Sequence, residues 1–184
     1  MNASGHVVRS RYLFLRSLGD DAVQQVANEV SERVRDIVLN GPLETQWYPF
    51  EDLIELMVTT DRVLGNGDLA LCGDMGRFSC ETNLNGIYRI FFRFGSLNFI
   101  LKRAAKAFRA QYDSGDMEVL ESSSDMCRLR LNDFPRPHRA HCLAIGGWMV
   151  RAGELTGEEI ESQTETCRAN GDEHCEWEFR YGRS

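Results

Sequence analysis

The spacing of apolar residues along this chain changes from a helical repeat to a two-residue repeat at about residue 113. Before that point, apolar side chains recur every three or four residues, which predicts amphipathic helices. After it, Cys127, Leu129 and Leu131 alternate with Arg128 and Arg130, which is typical of a half-buried strand. A helical first part and a strand-rich second part together predict an α+β fold.

Capping and turn residues divide both parts into elements. The predicted helices cover residues 21–38, 50–64, 69–81, 96–111 and 138–154. The predicted strands cover residues 116–121, 126–132, 158–166 and 173–181. This order predicts N-terminal helices followed by a ββαββ antiparallel four-stranded sheet. We expect one domain over residues 1–184, with a helical part over 1–112 and a strand-rich part over 113–181.

Charge and hydropathy disfavour a nucleic-acid-binding, membrane-spanning or secreted protein. The 184-residue chain has a net charge of −7, which disfavours nonspecific binding to nucleic acid. No run approaches the roughly 20 apolar residues of a membrane span. The first apolar run is interrupted by Arg11 and Arg16, so we expect no signal peptide. We therefore expect a cytoplasmic protein whose cysteines are mostly reduced.

Two cysteines bracket the turn between the last two predicted strands. Cys167 and Cys175 lie on either side of a Gly-Asp pair. They can be metal ligands, a disulfide or small core residues. A reducing compartment counts against the disulfide, and free cysteine is among the most buried residue types. The residues themselves leave the metal and core interpretations open.

The second part of the chain resembles a known family. A helix with Cys142 is followed by GELTG, a strand, a C-x7-C pair and C-x-W-x-F. This order resembles the 4-vinyl reductase domain, which shares its fold with small subunits of the TRAPP vesicle-tethering complex. ILKRAAKAFRAQYDSGDMEV and HCLAIGGWMVRAGELTG are similar to myxobacterial paralogues of unknown function related to that domain. The resemblance is best over residues 96–181.

The resemblance implies that the protein is bacterial. It also implies a structural zinc site. Phenol-sensing members of the family hold zinc with three cysteines and a glutamate, and Cys142, Cys167 and Cys175 match the three thiols. Thr164 occupies one position for the glutamate, and the adjacent Glu165 is taken here as the fourth ligand. Zinc prefers four such ligands in a tetrahedron. Alternative fourth ligands are His141, Glu161 and His174.

No catalytic motif is present in the sequence. It contains no phosphate-binding loop, G-x-S-x-G elbow or H-E-x-x-H. His138 and His141 lie about one turn apart beside Arg136 and Arg139, which favours an exposed helix start over a metal pair. A haem site needs an axial ligand such as histidine, and the histidines lie near a terminus or in polar sequence, which disfavours haem.

The aromatic residues favour an ordinary core, and a ligand pocket is the alternative interpretation. In the pocket interpretation we expect Phe94, Phe99, Trp148 and Trp177 to line an apolar cavity. The resemblance implies a non-enzymatic sensor or regulatory module, a homodimer, that binds a small apolar or aromatic molecule. The alternative is a TRAPP-like scaffold for protein interaction without a ligand.

Overall fold

The computed structural model describes residues 1–82 and 96–183. The helices in these ranges are α1 Gly5–Ser17, α2 Asp20–Ala27, α3 Glu32–Asn40, α4 Phe50–Leu64, α5 Ala70–Thr82, α6 Leu97–Gln111 and α7 Arg139–Thr156. The strands are β1 Asn2–Ser4, β2 Trp47–Pro49, β3 Asp116–Ser122, β4 Met126–Asn132, β5 Glu158–Thr166 and β6 Cys175–Arg183. None of the helices in the described ranges is long and apolar enough to cross a membrane.

The predicted α+β class is confirmed. Strands β3 to β6 form an antiparallel sheet in the order β3-β4-β6-β5, and α7 connects β4 to β5. Because side chains alternate across a strand, Trp177, Phe179 and Tyr181 of β6 share one face, where all three are buried. This face of the sheet packs into the hydrophobic core that the helices complete.

The predicted helix over residues 21–38 is wrong in one respect, because the structure divides it into α2 and α3. The break comes at Ser31, which has an extended backbone and accepts a hydrogen bond from the Val34 amide through its side chain. A serine in this role begins a new helix. The Glu55 carboxylate of α4 also fixes Ser31 in place. It accepts hydrogen bonds from the Ser31 amide at 2.5 Å and from the Ser31 hydroxyl at 2.9 Å.

Helix α1 occupies the segment in which Arg11 was expected to interrupt an apolar run. Val7, Arg11 and Phe14 follow one another at helical spacing, and all three are buried. The arginine therefore lies on the inward face of the helix rather than on its solvent face. This places a cationic side chain in the interior of the helical part.

Helices α5 and α7 approach closely through glycine. A Cβ atom on Gly76 would lie 1.9 Å from the carbonyl oxygen of Ala144. A Cβ atom on Gly147 would lie 2.1 Å from the carbonyl oxygen of Gly73. Both distances are too short for any side chain, and the atoms met are backbone atoms that cannot swing away. Glycine at these positions is therefore what allows the two helix backbones to touch.

We predict that Gly76→Ala destabilises the protein by about 2–3 kcal/mol, because the added methyl group must push two helix backbones apart. The free energy of unfolding from urea titration measures this. Gly73→Ala is the matched control, since its Cβ would meet the nearest atom, the Leu143 carbonyl oxygen, at 4.0 Å. Alanine is the better helix former, so the control is expected to be neutral or slightly stabilised. Equal losses for both variants would contradict the glycine contact.

Candidate functional site

A cavity of about 490 Å³ lies among helices α1, α5, α6 and α7. Its size falls within the range of small-molecule pockets, which are mostly apolar with a few polar groups. The apolar part of the described wall comprises Val7, Ile100, Phe108, Met117, Ile145, Trp148 and Met149, with alanines of α6 and α7. The polar part comprises Ser4, His6, Ser10, Arg11, Ser79, Arg103, Gln111 and Tyr112.

Arg11 is the one wall residue that combines a full charge with near-complete burial among those described, at 7% exposure. Its Nη1 donates hydrogen bonds to the Ser10 hydroxyl at 2.9 Å, to the Ser79 hydroxyl, and to the Met75 carbonyl at 3.4 Å. Its Nε is buried and has no hydrogen-bond partner. The three acceptors are neutral, so they orient the guanidinium without balancing its charge.

The electrostatic surroundings of Arg11 are also neutral. The groups that interact most strongly with it are Tyr112 and Cys72, and burial raises the pKa of each of them to about 12. Both therefore stay protonated and uncharged at neutral pH. Burial lowers the pKa of the Arg11 guanidinium itself, but arginine remains protonated in proteins. The pocket wall thus keeps an unbalanced positive charge.

The described wall contains basic residues and no acidic one. Besides Arg11, it includes Arg103, whose guanidinium carbon lies 5.6 Å from the centroid of the Phe99 ring. No aspartate or glutamate appears among the described lining residues. In a chain with a net charge of −7, a cavity whose described charged residues are both cationic is a local reversal of the overall charge.

Ser4 adds a second unsatisfied polar group to the wall. Its hydroxyl oxygen is buried and has no hydrogen-bond partner. Ser4 ends β1 and immediately precedes α1, and like Val7 and Arg11 of that helix it lines the cavity. Buried polar atoms are normally hydrogen-bonded in folded proteins. Two unpaired groups in the cavity wall therefore indicate that something polar belongs in the cavity.

The four aromatic residues expected to line a pocket do not lie together in the structure. Trp148 lies in the pocket wall. Trp177 is fully buried in the core, where its Nε1 donates a hydrogen bond to the Cys142 carbonyl at 3.2 Å. Phe99 is 43% exposed on α6. Phe94 lies outside the described residues.

Three cysteines from different elements meet beneath the last hairpin. The Sγ atoms of Cys142 on α7, Cys167 after β5 and Cys175 on β6 all lie within 4.8 Å of one another, and all three residues are buried. The Sγ atoms of Cys142 and Cys167 are 3.1 Å apart. Hydrogen bonds from the other two thiols lower the pKa of Cys167, and the same interaction raises the pKa of Cys142. The cluster is the described group whose geometry suits a metal ion.

Glu165 does not join these thiols. Its carboxylate forms an ion pair with Arg139, and it is not among the ligand atoms that converge at the cysteines. Burial raises the pKa of Glu165, and the nearby Arg139 opposes that shift. The expected set of three thiols and one carboxylate is therefore not assembled in the structure.

The fold is similar to that of H-NOX domains, which are haem-binding domains related to soluble guanylate cyclase. An Fe(II) unliganded H-NOX protein from K. algicida superposes with a TM-score of 0.73 at 8% identity, over 98% of this chain and 97% of that one. An S. oneidensis H-NOX protein in the Fe(II)NO state gives 0.74 at 10% identity, over 98% and 99%. An oxygen-binding H-NOX domain in its oxygen complex gives 0.72 at 11%, over 98% and 95%. No protein-family model matches the sequence, and no curated protein matches it.

The resemblance to the 4-vinyl reductase domain and TRAPP subunits is wrong, because the solved structures that share this fold are H-NOX domains. The motifs behind it have local causes. Gly157 of GELTG has a positive φ of 79° and ends α7, which is a common helix ending. The C-x7-C pair brackets the turn before β6. Such features recur in unrelated folds, so they do not identify a family.

The prediction of structural zinc as the cofactor is also wrong, because proteins that share this fold bind haem, a different cofactor. The ion pair between Glu165 and Arg139 gives a physical reason within the chain. A tetrahedral zinc site needs a fourth ligand, and no histidine, aspartate or glutamate among the described residues completes the group of three thiols.

The described pocket wall does not fit haem well. Haem iron needs an axial ligand such as histidine or a thiolate. His6 is the wall's histidine among the described residues, but its side chain is 70% exposed and its Nδ1 lies 3.4 Å from the Glu44 carboxylate. No cysteine is among the described lining residues. The other potential ligands in the described wall are Met117 and Met149. Methionine ligates haem together with a histidine on the opposite side, and the described wall offers no buried histidine for that role.

His141 is fully buried rather than exposed at a helix start. Its ring stacks on Phe134 at 5.1 Å and meets Phe50 and Tyr112 edge-on at 5.2 and 4.9 Å. Neither ring nitrogen has a hydrogen-bond partner. Burial, assisted by the charge of Arg11, lowers the pKa of His141 to about 3. The imidazole therefore behaves as a neutral aromatic core residue.

We predict that His141→Phe stabilises the protein and reduces its sensitivity to acid. The pKa of His141 is about 3 in the folded state and about 6.5 in the unfolded state. Protons therefore favour the unfolded state, and stability is lost as the pH falls from about 6.5 towards 3. Between pH 7 and pH 5 this loss amounts to about 2 kcal/mol, and His141→Phe removes it. Urea unfolding at the two pH values measures the difference.

The matched control is His174→Phe, because the side chain of His174 is 38% exposed. It is expected to lose as much stability between pH 7 and pH 5 as the unmodified protein does. An unchanged acid sensitivity in His141→Phe would show that the imidazole is not buried as a neutral group.

Proposed function

We propose that this protein is a non-enzymatic regulatory module that binds a small, largely apolar molecule in the cavity among α1, α5, α6 and α7. The observation that carries the proposal is a cavity of about 490 Å³ with a mostly apolar wall. Ligand pockets are concave and mostly apolar, so a partly open pocket of this size in the helical part supports ligand binding over a scaffold without a ligand.

The neighbours in fold support a binding role. They include an oxygen complex and an Fe(II)NO state, so this fold serves elsewhere to hold a small molecule within the domain. The identities of 10% and 11% carry no residue-level assignment to this chain. The polar side chains of the described wall are mainly serine and arginine, which suit orientation of a ligand better than acid-base catalysis.

We predict that N-phenyl-1-naphthylamine, a neutral apolar dye, binds at one equivalent with a rise in its fluorescence. Trp148 lies in the wall, so its emission should be quenched by energy transfer to the bound dye. Ala104→Phe fills part of the cavity and should weaken binding by about tenfold, which corresponds to about 1.4 kcal/mol. A fluorescence titration of each protein provides the dissociation constants.

Ala169→Phe is the matched control, since Ala169 is exposed in the turn before β6 and lies outside the cavity wall. Its affinity for the dye should equal that of the unmodified protein. Absence of saturable binding, or an equal loss in the two variants, would contradict the pocket as the ligand site and favour the protein-interaction scaffold.

A further inference from the structure

We propose that the ligand of this pocket carries an anionic group, a carboxylate on an acyl or aryl body, which pairs with Arg11. The inference rests on the proposed function and specifies the chemical class of the molecule bound. It follows from the charge left unbalanced in the wall, from the unpaired polar atoms beside it and from the apolar character of the remainder.

The charge of Arg11 gives the first reason. Removing a charge from water without pairing it is strongly unfavourable, and buried charges are normally paired. The described hydrogen bonds of Arg11 go to two hydroxyls and one carbonyl, all of them neutral. A bound anion would supply the missing counter-charge at a residue that already lies in the cavity wall.

The free Nε of Arg11 gives the second reason. Arginine binds carboxylates through a planar pair of N–H donors. Ser10, Ser79 and the Met75 carbonyl occupy Nη1, whereas Nε is buried without a partner. The protein thus fixes the guanidinium through Nη1, and the N–H of Nε remains available to a ligand.

The composition of the wall gives the third reason. Its charged residues in the described part are the two arginines Arg11 and Arg103, with no acidic residue that would repel an anion. The unpaired hydroxyl of Ser4, which immediately precedes α1, also belongs to this wall and can donate to an oxygen of the ligand. The remaining surface is aliphatic and aromatic, which suits a hydrocarbon body rather than a free inorganic anion.

The test compares decanoate with 1-decanol, two probes that share a ten-carbon chain and differ in charge. Each is titrated at pH 8 against the protein preloaded with N-phenyl-1-naphthylamine, and dye displacement is followed by fluorescence. We expect decanoate to bind at least about tenfold more tightly than 1-decanol, in line with a charge-assisted hydrogen bond. Equal affinities in the unmodified protein would overturn the inference without using any variant.

Arg11→Met is the corresponding variant, because it keeps the length of the side chain and removes its charge. We expect the preference for decanoate over 1-decanol to disappear in this variant. Replacing a buried charge with an apolar side chain is commonly tolerated, so the variant should fold. Arg16→Met on the same helix is the control, since Arg16 pairs with Asp20 at the surface and its loss should leave the preference intact.

The outcomes separate the inference from the proposed function. Displacement of the dye by both probes with equal affinity, or a preference that survives Arg11→Met, overturns the anionic ligand but keeps the pocket. Failure of the dye and of both probes to bind overturns the proposed function and the inference with it. Tight binding of decanoate that depends on Arg11 supports both.

One further arm distinguishes two sources of the carboxylate. Haem also carries carboxylates, so hemin is titrated and its Soret band is followed. Because the described wall lacks a buried histidine or cysteine, we expect no saturation at one equivalent, which leaves an acyl or aryl acid as the ligand class. Saturation that is lost in Arg11→Met would support the pairing with Arg11 and assign the carboxylates to a porphyrin.

Discussion

The close contact between α5 and α7 is the constraint on which the candidate site depends. Gly76 and Gly147 allow the two backbones to approach to distances that any side chain would prevent. The same two helices carry Ser79, which binds Arg11, and Trp148, which lines the cavity. The α7 helix also supplies Cys142 to the thiol cluster. Small residues at one helix crossing thus fix the positions of polar and aromatic groups on both sides of it.

Arg11 connects this architecture to function. Its guanidinium is held between α1 and α5 by hydrogen bonds that determine its orientation, and it keeps a charge that no described acidic residue balances. Folded proteins rarely retain such a group for stability alone, because an apolar side chain of similar volume is often as stable or more so. A binding role explains why the charge stands in an otherwise apolar wall. Burial keeps His141 neutral by lowering its pKa, and the charge of Arg11 adds to that effect.

Much of the fold could be predicted from the sequence because the apolar periodicities are strong and long. The predicted helix over residues 50–64 coincides with α4, and the predicted strand over 126–132 coincides with β4. The family could not be predicted, since GELTG and C-x7-C reflect a helix ending and a turn. The break at Ser31 was missed because the apolar repeat continues in phase across it.

The centre of the site was missed for a different reason. Arg11 follows Val7 by four residues and precedes Phe14 by three, so it lies on the apolar stripe of a helix, and this spacing was a usable signal. A charged residue in an apolar run is ordinarily an interruption, because charged residues are seldom buried. The pairing of Arg11 with Ser79 joins residues far apart in the chain, and periodicity contains no information about such contacts. His141 was placed at the surface because its neighbours in sequence are polar, whereas its neighbours in space are aromatic.

A crystal structure of the protein with 10-bromodecanoate tests the central claim most directly, because the bromine can be located by anomalous scattering. We expect a carboxylate within hydrogen-bonding distance of Arg11 Nε and a bromine in the apolar part of the cavity among α1, α5, α6 and α7. A ligand bound elsewhere, or an Arg11 guanidinium paired with an acidic residue of the protein, would contradict it.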